Sequence, residues 1–237
     1  MKKIFLISVL TLLSMMISCS GGGDDGGDNY SSGKSAAGLY KGTTNTGRNI
    51  YGLILEDGSY FFIYSASNYS NETAGALQGV SSNFDENLTS DDAMDLNIEG
   101  SGVTKGKLTI TYDPKESIYG MMRLYSNDVY TFTATYDSDY EKNPLLSDIA
   151  GAFSGWLAFS QGRENATLTF SSTGAITVTG NGGNVYDFFI SFGGAPCHFA
   201  NQTMTGIAYY DLEYNRMWIV APSDDQTDGI LFEGNKQ

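Results

Sequence analysis

Residues 49–66 read NIYGLILEDGSYFFIYSA. Two runs rich in β-branched and aromatic residues flank Asp57-Gly58, a dipeptide that favours tight reversal of the chain. The reading is therefore a β-hairpin, with a two-residue type I′ turn that sets positive φ at both Asp57 and Gly58. Tyr60-Phe61-Phe62-Ile63-Tyr64 puts aromatic rings on both faces of the second strand, because side chains alternate along a strand. One face fills a core. The other turns outward or toward a neighbour, where rings anchor an interface, stack on a sugar or pair across strands.

The pattern extends in both directions. Residues 38–44, 75–80, 94–99, 107–113, 118–124 and 129–136 are further short β-rich runs, separated by Gly, Asn, Asp and Ser. None shows helical periodicity. Residues 138–150 differ: Leu145, Leu146 and Ile149 stand at helical spacing behind Pro144, so a short helix or turn joins two halves. Seven more candidate strands follow at 151–159, 166–170, 175–179, 184–192, 203–210, 216–221 and 229–233. The restart resembles an internal repeat. Ala37-Gly38-Leu39-Tyr40-Lys41-Gly42 aligns with Ala150-Gly151-Ala152-Phe153-Ser154-Gly155, and each half has a glycine-tipped hairpin after it, at Gly58 and at Gly174.

The fold class is all-β. Short antiparallel strands in a meander hide their edges by closing into a barrel or stacking as a sandwich. The expectation is two small barrel-like units, at 37–138 and 151–237, with a connector at 139–150. One larger closed sheet or sandwich built from both halves is the alternative.

The N-terminal segment decides the address. Lys2 and Lys3 precede an apolar run over residues 4–17, which at 14 residues is shorter than the roughly 20 a spanning helix needs. A basic head, a short apolar stretch and a small residue, Ser18, describe a secretory signal peptide over 1–18. Residues 19–36 hold Gly21-Gly22-Gly23, Asp24-Asp25 and Gly26-Gly27 with little to bury, which reads as a flexible tether. Ile17-Ser18-Cys19 resembles the lipobox of bacterial lipoproteins, with Met16 where Leu is usual. The resemblance implies lipidation of Cys19, and Ser20 after it implies the outer membrane.

Composition removes several function classes. The chain of 237 residues carries 13 basic and 27 acidic residues, and loss of Lys2 and Lys3 with the signal makes the mature chain more acidic still. Nucleic acid and anionic lipid head groups both require a basic footprint, so neither is a partner. The membrane is reached through the lipid anchor alone. A single histidine, His198, and two cysteines leave little for acid–base chemistry or a zinc site. His198 beside Cys197 cannot form a thiolate pair within one strand, since neighbouring side chains point to opposite faces. No carboxylate pair stands out as a glycosidase acid and base. The expectation is no enzyme, no cofactor and no metal. Asp85, Glu86, Asp91, Asp92 and Asp95 cluster within SNFDENLTSDDAMD, read as a solvated acidic loop, with a calcium-binding or partner-facing loop as the sharper alternative. Aromatic residues are in excess, with 16 Tyr, 13 Phe and 2 Trp, the latter at Trp156 and Trp218.

Three closing segments carry a further resemblance: ISFGGAPC at 190–197, TGIAYYD at 205–211 and TDGILFEGNK at 227–236. With GLYKGTTNTGR at 38–48 and the 55–65 hairpin, they look like small uncharacterised lipoproteins of Gram-negative bacteria. The resemblance implies a second cysteine that precedes the one in the GGAPC motif and could pair with it. Here residues 177–185 (TVTGNGGNV) hold no such partner, so the resemblance leaves Cys197 unpaired. GKLTITYD at 106–113 followed by SIYG at 117–120 is more distantly similar to the barrel repeats of transferrin-binding protein B and factor H-binding surface lipoproteins, which display binding surfaces for host proteins. These readings converge on a tethered, non-enzymatic binding module for a macromolecular partner, protein or glycan. A periplasmic structural or inhibitor-like protein and a small-ligand-carrying barrel are the alternatives.

Overall fold

The computed structural model describes residues 35–67, 72–81, 87–142, 146–170, 184–195 and 198–237. The expected signal, Cys19, most of the expected tether, Asp85 and Glu86, Pro144 and Leu145, the expected hairpin tip at Gly174 and strand at 175–179, and Cys197 lie outside the described residues. Residues 33–237 form one compact unit. Among the described residues no helix is long and apolar enough to cross a membrane.

The first half is an eight-stranded closed barrel of β1 (Gly38–Thr44), β2 (Asn49–Ile54), β3 (Ser59–Ser65), β4 (Thr73–Val80), β5 (Asn87–Asn97), β6 (Gly102–Asp113), β7 (Ser117–Leu124) and β8 (Val129–Asp137). Each strand pairs antiparallel with the next, and β8 returns to β1 from Leu39↔Asp137 to Thr44↔Phe132. A short 3-10 turn, Ser138–Glu141, and one turn of helix, α1 (Leu146–Ile149), join the halves. The second half is a six-stranded antiparallel sheet of β9 (Gly151–Phe159), β10 (Gly162–Phe170), β11 (Val185–Ser191), β12 (Thr203–Asp211), β13 (Arg216–Pro222) and β14 (Gly229–Lys236). Its order is β10-β9-β14-β13-β12-β11. In both halves the first strand pairs with the second and with the last, which is the pairing logic a duplication would leave.

β5, β6 and β10 start four to seven residues before their expected bounds, because their first residues are mostly polar or glycine and read as loop in sequence. An antiparallel strand tolerates them on its solvated face. Asp91 and Asp92 accordingly lie in β5 and not in a loop.

The turn at Asp57-Gly58 also differs from the expectation. Only Gly58 has positive φ, at 83°. Gly58 N–H donates to Leu55 O at 3.0 Å and Leu55 N–H to Ser59 O at 2.8 Å. This is a three-residue loop, a type I turn closed by one left-handed residue. The β1–β2 and β7–β8 loops repeat it with Gly47 and Asn127 in the left-handed position.

Tyr60, Phe62 and Tyr64 point into the barrel, whereas Phe61 and Ile63 point out toward the second sheet. The barrel core gathers around Tyr40, Tyr60, Phe62, Leu108, Ile110 and Phe132, with the Phe62 and Phe132 rings 5.0 Å apart. A second cluster joins Leu39, Leu53, Ile63 and Leu96 to Trp218, Val220 and Leu231 across the seam between barrel and sheet. A third, on the far face of the sheet, holds Phe153, Tyr210, Ile219 and Phe232. β13 is thus buried on both faces, which explains its unbroken apolar run Met217-Trp218-Ile219-Val220-Ala221.

Candidate functional site

The barrel is filled at the end where β1 begins and hollow at the end where β1 finishes. There, the hairpin loops after β1, β5 and β7 surround a cavity of about 240 Å³. Its floor and walls are Ile50, Leu77, Met122, Leu124 and Phe132, and its rim carries Thr44, Thr46, Asn97, Ser101, Ser126 and Asp128. On one wall stand Tyr64, Asp95, Thr104 and Arg48.

A β-bulge puts Asp95 there. In the β5–β6 ladder Ser90 faces Leu108 and Ala93 faces Gly106, with Asp91 and Asp92 both accommodated between them. The extra residue reverses the in–out alternation, so Ala93 and Asp95 turn inward where strict alternation would turn them out. Asp95 lies directly opposite Thr104.

Tyr64 O–H donates to Asp95 Oδ1 at 2.7 Å. Burial raises the Asp95 carboxyl above its ordinary value, against the downward pulls of hydrogen bonds from Tyr64 and Thr104 and of the Arg48 charge. Burial, with the neighbouring Asp95 charge, also holds the Tyr64 hydroxyl well above its ordinary value. Arg48 is committed elsewhere: Nη1 donates to Ser65 O at 2.9 Å, Nη2 pairs with Glu99 Oε2 at 2.7 Å, and the guanidinium lies 5.6 Å from the Tyr64 ring centroid. Among the described residues Asp95 therefore has no ion-pair partner. The Thr104 hydroxyl is buried directly opposite Asp95 and pulls the same carboxyl down.

The acidic run does not act as a unit. Asp91 pairs with Lys107 at 2.9 Å on the outer surface, Ser90 Oγ donates to Asp92 at 3.4 Å, and of the run's described members only Asp95 enters the barrel. Among the described residues no group of three or more His, Cys, Asp or Glu is placed to hold a metal ion.

His198 stacks on Phe159 with ring centroids 4.5 Å apart, and its Nε2 lies 3.2 Å from Asp228 Oδ2. Asp228 also accepts from Ser160 N at 2.9 Å and Ser160 Oγ at 2.7 Å. Burial opposes ionisation of Asp228, yet these bonds hold its carboxyl below its ordinary value. The carboxylate stands between serine and histidine, with Oδ2 meeting both. The trio clamps the end of β9 to the loop before β14. Trp218 is buried in the seam, stacked on Tyr209 at 5.8 Å with the Arg216 guanidinium 4.2 Å above it. Trp156 has Arg163 at 5.8 Å.

A second surface lies on the outside of the barrel. Thr43, Thr133, Tyr119 and Thr111 form one row of paired residues across β1, β8, β7 and β6, and Lys41, Thr135, Ser117 and Asp113 form the next. They line an open groove of about 520 Å³ in which Tyr119 is 48% exposed.

No protein-family model matches the chain, no curated protein matches it, and no solved structure matches its fold.

Proposed function

We propose that the chain is a lipoprotein of the outer membrane, exported through residues 1–18, lipidated on Cys19 and held on the 20–36 tether, and that it acts as a non-enzymatic binding module whose binding face is the open end of the barrel. The observation that carries the reading is the cavity itself. A barrel otherwise packed with aromatic rings leaves one end hollow, apolar below and polar at the rim, as ligand pockets are built. Binding without chemistry suits its groups, because Tyr64 stays protonated at neutral pH and Asp95 meets a hydroxyl and not a nucleophile–base pair. The lipobox at Cys19 and the similarity to barrel-bearing surface lipoproteins supply the address.

Cell fractionation tests the anchor: a Cys19→Ala chain should leave the membrane fraction, and its retention there would remove the tether from the reading. Protease treatment of intact cells then separates surface display, in which the protein is lost before lysis, from a periplasmic location.

The outer groove favours a second reading, a glycan partner. The hydroxyls of Thr43, Thr111, Thr133, Thr135 and Ser117, in two registered rows beside an exposed tyrosine ring, offer hydrogen bonds and a stacking platform for a sugar chain. Co-sedimentation with insoluble glycan from purified cell walls, abolished in Tyr119→Ala, is the expected result; no co-sedimentation removes this reading.

A further inference from the structure

We propose that the open end of the barrel selects a small organic cation, with its ammonium or amidinium group against Asp95 and Thr104 and its apolar body against Ile50, Leu77, Met122 and Phe132. The inference rests on the binding-face reading above and names the ligand class for it.

Charge decides the class. A buried carboxylate without a paired cation is costly, and a ligand that brings the cation relieves that cost. Arg48 cannot, because both of its terminal nitrogens are engaged by Ser65 and Glu99. An ionised carboxylate offers about four acceptor positions, and the Tyr64 and Thr104 hydroxyls leave about two of them open. The Thr104 hydroxyl, buried opposite Asp95 and donating toward its carboxylate, keeps its oxygen lone pairs as a further acceptor for an ammonium N–H. An anionic ligand would instead face Asp95 and Asp128, with Arg48 already paired to Glu99. A sugar would leave the apolar walls without complementary surface and the carboxylate without a counter-charge.

Size follows from the volume. About 240 Å³ falls below the roughly 300–1,000 Å³ of pockets for drug-sized ligands, so the ligand is a compact amine with a single ring or short alkyl body. Cations matched to a carboxylate gain a charge-assisted hydrogen bond, about twice as strong as a neutral one.

The test uses the full chain carrying Cys19→Ala, labelled at its methionine methyls, with Met122 as the reporter inside the cavity. 2-Phenylethylamine and its neutral analogue 2-phenylethanol are titrated in parallel at pH 7. The amine should move the Met122 methyl resonance and bind at least about tenfold tighter than the alcohol, a difference of about 1.4 kcal/mol. Asp95→Asn should abolish that preference, and Tyr64→Phe and Thr104→Val should each weaken it while the other methionine resonances keep their positions. Equal binding of amine and alcohol would overturn the cation class and leave the open end standing as a binding face. Failure of both to move Met122 at up to about 10 mM, a range that covers affinities weaker than 4 kcal/mol, would overturn the class and the binding face together.

Discussion

Four rings that fill the barrel each lie over a glycine on the neighbouring strand: Tyr60 opposite Gly79, Phe62 opposite Gly52, Tyr64 opposite Gly75 and Phe132 opposite Gly120. The missing side chain is the space the ring occupies, an arrangement that lets a small barrel hold large aromatics. At Gly52 an added Cβ would land against the Phe62 ring, which is fully buried between Tyr60 and Phe132 and has nowhere to turn. Gly52→Ala should therefore cost about 1–3 kcal/mol in urea unfolding, whereas the exposed Thr133→Ala should stay within about 0.5 kcal/mol. Asp95 gives a prediction of the opposite sign. Burial raises its carboxyl, so the folded state holds the proton more tightly than the unfolded chain does. Its contribution is full below the unfolded value, near 3.9, and is lost as pH rises through the raised folded value. Asp95→Asn keeps an acceptor for Tyr64 and removes the charge. Unfolding of the two proteins should nearly coincide at pH 3, and the Asn variant should be the more stable at pH 7; a less stable variant at pH 7 would mean that Arg48 outweighs burial.

At the scale of elements, the hairpin loops carry the strain. Gly47, Gly58 and Asn127 occupy equivalent left-handed positions at φ of 73°, 83° and 76°. Asn tolerates that conformation less well than glycine does. Asn127→Gly should raise stability by roughly 0.5–1 kcal/mol, read from the midpoint of chemical denaturation. These loops also mark what the chain discloses in advance. The run from Tyr60 to Tyr64 is legible as a strand because its residue types and flanking turn agree. Which of its faces turns inward is not legible, because that depends on register with β2 and β4. β5 is the harder case. Its first half is polar and its alternation reverses at the bulge between Ser90 and Ala93, so Asp95 reads as one more solvated acid. The cavity was hidden for a related reason. Ile50, Tyr64, Asp95, Thr104, Met122 and Phe132 come from six different strands, and no spacing in the sequence reports that barrel closure gathers them at one end.

The whole unit is held by its seam. Tyr51 of the barrel meets Trp218 of the sheet at 5.4 Å, and Trp218 is in turn sandwiched by Tyr209 and Arg216. Glu233 ties the halves together, accepting from Thr73 Oγ1 at 2.5 Å and pairing with Arg216 at 2.8 Å. Trp218→Ala should cost about 3–5 kcal/mol and loosen both halves at once, so tyrosines of the barrel and of the sheet should report the same midpoint. Two well-separated transitions would show that the halves are energetically independent. The pairing of first strand with last has a further consequence, one of timing. A chain emerges from its N-terminus, and β9 must wait for β14, where Phe153 meets Lys236, one residue short of the C-terminal Gln237. Until those eight residues arrive, β9 and β13 both present open edges, and Ile230, Leu231 and Phe232 are missing from the cores they complete. Such long-range closure is slow and leaves half-made chains prone to associate. β14 is the keystone of the second half: a chain ending before Gly229 would hold β10 with β9 and β11 with β12 and β13, two pieces of sheet with nothing to span them.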